Sequence, residues 1–159
     1  MAFSLPVFAR RAKRRLISHT KFYFFDVGIY RALRPRGILD SPQEIDGLAL
    51  EGLVAQHLLS WVQAQETPHS ISFWRTQTGL EVDFIIYGPR GFWAIEVKRS
   101  PHLGPNDIKG LKAFKEEYPE AQCFVVAPVK YREKYREFPV LPISEFLLGI
   151  VPEQPVVSI

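Results

Sequence analysis

The run Gly79-Leu-Glu-Val-Asp-Phe-Ile-Ile-Tyr87, followed after Gly88-Pro-Arg-Gly91 by Phe92-Trp-Ala-Ile-Glu-Val-Lys-Arg99, decides the fold. Both halves are rich in β-branched and aromatic residues, and the segment between them carries two glycines and a proline, so they read as a β-hairpin. A four-residue connection pairs Tyr87 with Phe92, and each step outward pairs residues whose numbers sum to 179. Asp83 then faces Glu96, and Glu81 faces Lys98. Period-2 alternation puts Glu81, Asp83 and Ile85 on one face, with Ala94, Glu96 and Lys98 on the same face of the next strand. Trp93, Ile95 and Val97 supply the opposite, core face. Carboxylates directly opposite each other have Cβ atoms about 4.5–5.5 Å apart and repel unless a positive charge lies between them. A hard divalent cation such as Mg²⁺, which takes one or two carboxylates and completes its shell with water and phosphate, suits that place. Lys98 projects beside it, where an ammonium orients water or neutralises developing phosphate charge.

Working outward, Ile71–Thr76 forms a preceding strand joined through Thr78-Gly79, so the three strands make two consecutive hairpins. Upstream, apolar residues at Leu50, Val54, Leu58 and Trp61 recur at helical spacing, predicting a helix from Glu44 to about Gln65 that Pro68 closes. Glu51 lies on the side of that stripe. A carboxylate aimed at a buried face needs a partner, and the metal site or Lys98 provides one. Downstream, Ile108, Leu111 and Phe114 predict a helix over Asp107–Tyr118, and Gln122–Ala127 reads as a strand buried on both faces. A short helix follows from Pro142 to Ile150. The core order is helix, three strands, helix, strand: an α/β fold. The paired tetrapeptides Lys130-Tyr-Arg-Glu133 and Lys134-Tyr-Arg-Glu137 read as an exposed mixed-charge loop or helical turn.

The chain has 159 residues, 47% apolar and 13% aromatic, which is enough for one hydrophobic core. Its single Cys excludes a disulfide framework or a multi-cysteine metal site and fits a reducing, cytoplasmic setting. No apolar run approaches the ~20 residues of a membrane span. The net charge of +3 conceals an asymmetry: residues 1–36 hold nine Lys/Arg against Asp26 alone, and the remainder holds eleven against sixteen acids. The strand Lys21-Phe-Tyr-Phe-Phe25 leads to Asp26, an N-cap for a brief helix through Ala32 and Leu33. Before it, residues 1–20 read as a basic arm in which Arg10, Arg11, Lys13, Arg14 and Arg15 are candidate DNA phosphate contacts. Arg75 reads either as a phosphate contact or as a carboxylate partner. His19, His57, His69 and His102 lack ligand spacing for zinc, and Cys123 sits in an apolar strand as a core thiol. Lys109 and Lys112 suit a solvated helix face. The plain alternative for the acidic face is a set of cross-strand ion pairs; the inward Glu51 favours the metal reading.

Asp83, then Glu96-Val97-Lys98, between a helix carrying Glu51 and a following helix and strand, resembles the PD-(D/E)XK nuclease core, the restriction-endonuclease-like fold, over about Glu44–Ala127. More narrowly, Lys21-Phe-Tyr-Phe-Phe-Asp-Val-Gly28, Leu50-Glu-Gly-Leu-Val54, Phe73-Trp-Arg-Thr76, Gly79-Leu-Glu-Val-Asp-Phe84 and Ile95-Glu-Val-Lys98 resemble an uncharacterised C-terminal domain of prokaryotic AAA-type ATPases. The resemblance implies an αβββαβ core with a mixed central sheet flanked by helices over residues 21–159. It makes residues 1–20 the remnant of an upstream winged-helix-like or linker region. It further implies Mg²⁺- or Mn²⁺-dependent cleavage of DNA, with metal on Asp83, Glu96, the Val97 carbonyl and Glu51 and catalysis by these acids with Lys98. The alternative it leaves is a non-catalytic DNA- or protein-binding module serving an ATPase module in the full-length protein. No G-x-x-x-x-G-K-[ST] loop occurs in the chain, so ATP binding does not carry over to these residues.

Overall fold

Apolar strands separated by Gly- and Pro-containing turns build one mixed sheet between Ser70 and Pro142. In the computed structural model, which describes residues 2–26, 28–29, 32 and 41–157, these are β3 (Ser70–Arg75), β4 (Glu81–Gly88), β5 (Gly91–Val97), β6 (Gln122–Ala127), β7 (Glu133–Tyr135) and β8 (Phe138–Pro142). Their spatial order is β3-β4-β5-β6-β8-β7. The first three pair antiparallel, β5-β6 and β6-β8 pair parallel, and β7 closes the far edge antiparallel to β8. Helix α1 (Pro42–Gln63) precedes the sheet, a 3₁₀ turn (Pro105–Ile108) and α2 (Lys109–Glu117) connect β5 to β6, and α3 (Ile143–Gly149) follows β8. The helix, three-strand, helix, strand order of the sequence is present, and the helices flank a six-stranded mixed sheet.

Both sheet faces are dry. Val54, Ala55, Leu58 and Trp61 of α1 pack with Phe84, Ile86, Ile95 and Phe124, and Phe146 of α3 joins them. On the other face Ile108, Leu111 and Phe114 pack against Trp74, Ile85, Ala94 and Val125. Burial of this kind, at about 25 cal/mol per Å² of apolar surface, is the main term holding the layers together. Helix α2 comes so close to the start of β4 that a Cβ on Gly110 would lie 1.7 Å from the Glu81 carbonyl oxygen.

The Lys130–Glu137 segment departs from the loop or helical turn expected for it. Glu133–Tyr135 is a strand, with Arg136 at φ 54 in the tight turn back to Phe138. The register Val125↔Val140 gives β8 a place beside β6, and burial of Phe138, Val140 and Leu141 against the core outweighs the weak local turn signal.

Residues 1–20 pack on the domain. β1 (Ala2–Leu5) pairs antiparallel with β2 (Lys21–Phe24), aligning Leu5 with Lys21. The intervening chain runs along the outer edge of β3. Phe8 donates its N–H to the Phe73 carbonyl at 2.7 Å and Phe73 donates to Pro6; farther on, Ile17 donates to Arg75 and Gln77 to Arg15. An exposed strand edge invites pairing with other chains, and here the arm covers it. Asp26 accepts the N–H groups of Gly28 and Ile29. Val27, Tyr30, Arg31 and residues 33–40, which include most of the brief helix expected there, lie outside the described residues.

Candidate functional site

The register of 179 holds from Gly88↔Gly91 to Phe84↔Ile95 and stops there. Against β3, Ser72 pairs with Ile85 but Trp74 pairs with Val82, so Asp83 and Phe84 together oppose Phe73. This is a β-bulge, a device that bends a strand and re-aims a side chain. It splits the face that strict alternation assigns to Glu81, Asp83 and Ile85: Ile85 joins the α2 side of the core, while Glu81 and Asp83 turn toward β2. Asp83 Oδ2 accepts the Val97 N–H at 2.9 Å in place of a ladder bond. The expected Glu81–Lys98 pair does not form. Lys98 donates its backbone N–H to the Val126 carbonyl, following β6, and its ammonium meets Glu96 Oε1 at 2.6 Å and Asp107 Oδ1 at 3.8 Å.

The cation opposite Glu81 and Asp83 is Lys21, which the sequence reading left out of the site. Its Nζ lies 2.8 Å from Glu51 Oε1 and 3.5 Å from Asp83 Oδ1, and it also pairs with Glu81. The Tyr23 hydroxyl donates to the same Glu51 oxygen. Residues 21 and 23 share a face of β2, which was readable from alternation, but their partners lie 28 to 62 residues away in sequence. Arg75 Nε stands 3.6 Å from Glu81 Oε2, the carboxylate-partner alternative. Thus Glu51, Glu81, Asp83 and Glu96 meet around Lys21 and Lys98, with Arg75 at the rim.

This set is short of positive charge. Burial, followed by repulsion from Glu51, pushes the Asp83 carboxyl up to about 7, although Lys21 and the Val97 N–H pull the other way. Burial and the Asp83 charge raise Glu96 well above the carboxylate range, against relief from Lys98. Burial opposes charge on both lysines, but Asp83, Glu51 and Glu81 outweigh it at Lys21, and Glu96 does so at Lys98, so both stay protonated. Glu96 Oε2 is buried with no hydrogen-bond partner among the described residues. Beside these groups a cleft of about 410 Å³ opens between Gly47, Leu48 and Glu51 of α1 and Asp83, Val97 and Lys98.

Among the described residues, no three His, Cys, Asp or Glu side chains are grouped to hold a metal. An all-protein cage is therefore absent. Mg²⁺ asks for less, one or two carboxylates with water making up the octahedron, and a buried carboxylate pair with one unpartnered oxygen meets that demand. The donor chemistry of Asp83 and Glu96 fits the ion.

The arm's basic residues divide by contact. Arg14 bonds Glu117 at 2.8 Å, Glu116 at 3.2 Å and the Ala113 carbonyl at 3.0 Å, while the Lys13 backbone N–H also donates to Glu117. Arg11 stands 3.8 Å from Glu120, and Arg10 lies over the Tyr87 ring at 4.8 Å. The exposed side chains of Lys13 and Arg15 have no ion-pair partner among the described residues. Cys123 is a buried thiol pushed up to about 12 by burial, as a core residue should be.

The family described as a domain of unknown function, DUF4143, matches residues 46–146, which include Glu51, Glu81, Asp83, Glu96 and Lys98. The chain belongs to this family. No curated protein matches it. The family's span runs from Asp46 in α1 to Phe146 in α3 and leaves Lys21 and Tyr23 of β2 outside the matched residues.

Proposed function

We propose that this domain is a restriction-endonuclease-like nuclease module that hydrolyses DNA phosphodiesters with Mg²⁺ or Mn²⁺ and works beside an ATPase module in the full-length protein. The observation that carries the reading is the buried Asp83–Glu96 pair, with its unpartnered Glu96 oxygen, next to an open cleft that Asp83 and the Glu96-paired Lys98 line. Asp83, Glu96 and the Val97 carbonyl would hold the ion, with Glu51 behind Asp83. An ion held there would supply Lewis-acid polarisation of a phosphoryl oxygen and a lowered pKa for bound water. Lys98 keeps its proton at Nζ and offers its charge where negative charge grows on the phosphate, a contribution that strengthens away from bulk water. Leu48 and Leu50 line the cleft beside these charges.

Purified chain incubated with single- and double-stranded DNA and Mg²⁺ or Mn²⁺ should nick it, and Glu96→Ala and Lys98→Ala should each lose the activity by 10²-fold or more. No nicking by the wild type, or variants that match it, overturns the reading. A second reading is a binding module that cuts nothing. The ammoniums of Lys21 and Lys98, already set against the carboxylates, favour it. It predicts salt-dependent DNA binding that divalent ions and Glu96→Ala leave unchanged.

A further inference from the structure

We propose that Lys21 is a built-in cation of the acidic site, a positioning residue that takes the place of a second divalent ion and leaves the site with room for one. This rests on the metal-dependent reading above and adds to it a residue from outside the matched family span.

The Lys21 Nζ is surrounded by oxygens of three carboxylates drawn from two elements, Glu51 of α1 and Glu81 and Asp83 of β4. Hard cations take such oxygens, but these three side chains, spread round the ammonium, are not grouped to hold a metal as they stand. The Phe73 ring lies 5.5 Å from Nζ and offers a π face to the ammonium. The β-bulge places Phe73 opposite the Asp83–Phe84 pair, so one irregularity both turns Asp83 toward Lys21 and brings the ring into position. The tether is held firmly. Lys21 is in register with Leu5, which is 1% exposed, and two residues on the buried Tyr23 clamps Glu51 from the other side. An ammonium so placed carries one positive charge, and together with Arg75 beside Glu81 it offsets the charges of Glu51 and Glu81 without metal. The unsatisfied oxygen remains on Glu96, beside Lys98, which is where an ion is still wanted.

The test counts ions rather than turnover. Mn²⁺ bound to the full chain is titrated by electron paramagnetic resonance at low salt, with native mass spectrometry as a check, for wild type, Lys21→Met and Glu96→Gln. The expected counts are one ion per wild-type chain, two for Lys21→Met and none for Glu96→Gln. Lys21→Met should also melt lower than wild type in EDTA and recover on addition of Mn²⁺, because the ion replaces the lost charge. If wild type and Lys21→Met each bind one ion, the role of Lys21 is overturned while the metal reading stands. If wild type binds none and Lys21→Met binds one, Lys21 is the site's cation and the metal reading of the native chain fails. If neither binds Mn²⁺, both are overturned. Should Lys21→Met remain unfolded at every Mn²⁺ concentration, Lys21→Met/Glu81→Gln removes one carboxylate with the ammonium, and the same gain of one ion is required of it.

Discussion

Between pH 5 and 7, in the absence of divalent ions, the folded domain should lose stability as the pH rises, and Asp83→Asn should remove most of that loss. Burial first, and repulsion from Glu51 second, push the Asp83 carboxyl up to about 7. An unfolded aspartate titrates near about 3.9. In the window between these values the native chain holds a proton that the unfolded chain has released. Stability then falls with pH by at most about 1.4 kcal/mol per unit, and the fall ends once the folded pKa is passed. Integrated from pH 5 to 7 for this one group, the loss is about 2 kcal/mol. Glu96 is shifted in the same direction and adds to it. Glu117 is shifted down by the Lys13 and Arg14 donors against its burial, so its contribution is lost only at lower pH, outside the window. Asn at position 83 has no proton to release; burial, the larger cause of the Glu96 shift, stays, and only the smaller one, the Asp83 charge, is removed. Urea unfolding followed by tryptophan fluorescence at pH 5, 6 and 7, at constant ionic strength in EDTA, measures the slope in both proteins. A wild-type stability that stays flat or rises across the window, or an equal slope in Asp83→Asn, would refute the claim that a buried, charge-deficient carboxylate sits at this position.

Arg14→Ala should cost about 2 kcal/mol, because it strips the charge-assisted Nη1–Oε2 bond from the buried Glu117 and leaves that carboxylate only backbone N–H donors; chemical denaturation reads this, and a loss under about 0.5 kcal/mol would show that the arm does not brace α2. Gly110→Ala gains roughly 1 kcal/mol of helix propensity. It loses more to overpacking, since the new Cβ meets the Glu81 carbonyl, so a net loss of about 2 kcal/mol is expected in the same assay. Lys13→Glu/Arg15→Glu should reduce the slope of log affinity against log salt for DNA by about 2 while leaving stability within about 0.5 kcal/mol, as measured by fluorescence anisotropy and melting.

What was legible in the sequence followed from local chemistry. The connection Gly88–Gly91 sets the β4-β5 register as far as Phe84↔Ile95, an apolar run between polar turns marks β6, and the helical stripe puts Glu51 on the side of the core. What failed depends on partners distant in sequence. The bulge at Asp83–Phe84 is imposed by pairing with Phe73 of β3, and nothing in Glu81-Val-Asp-Phe84 itself breaks the period. β8 was hidden by Pro139 and Pro142, residues that usually argue against a strand. Pro139 sits in the β7 ladder one step before the parallel ladder begins at Val140, and Pro142 is the strand's last residue. Lys21 was quoted in a motif but given no role, because its three acceptors lie 30 to 62 residues downstream.

The charge asymmetry shows the same limit from another side. A block of nine basic residues in the first 36 suggests a phosphate-binding surface, and acids concentrated elsewhere suggest a separate, metal-binding body. In the folded chain much of each charge set is the other's counterion. Arg11 and Arg14 meet Glu116, Glu117 and Glu120 at the end of α2, and Lys21 enters the acidic cluster itself. Arg31, Arg34 and Arg36 lie outside the described residues. A phosphate backbone reaching the cleft would therefore meet carboxylates that Lys21 and Lys98 only partly offset, which gives it no long-range attraction. In either reading, capture of DNA would rest on the few positive groups near the cleft, Arg75 and Arg99, and on whatever charge an ion bound to Asp83 and Glu96 adds. This ties DNA affinity to divalent-ion occupancy in the catalytic reading and uncouples the two in the binding-module reading, so the effect of Glu96→Gln on affinity separates them without a cleavage assay.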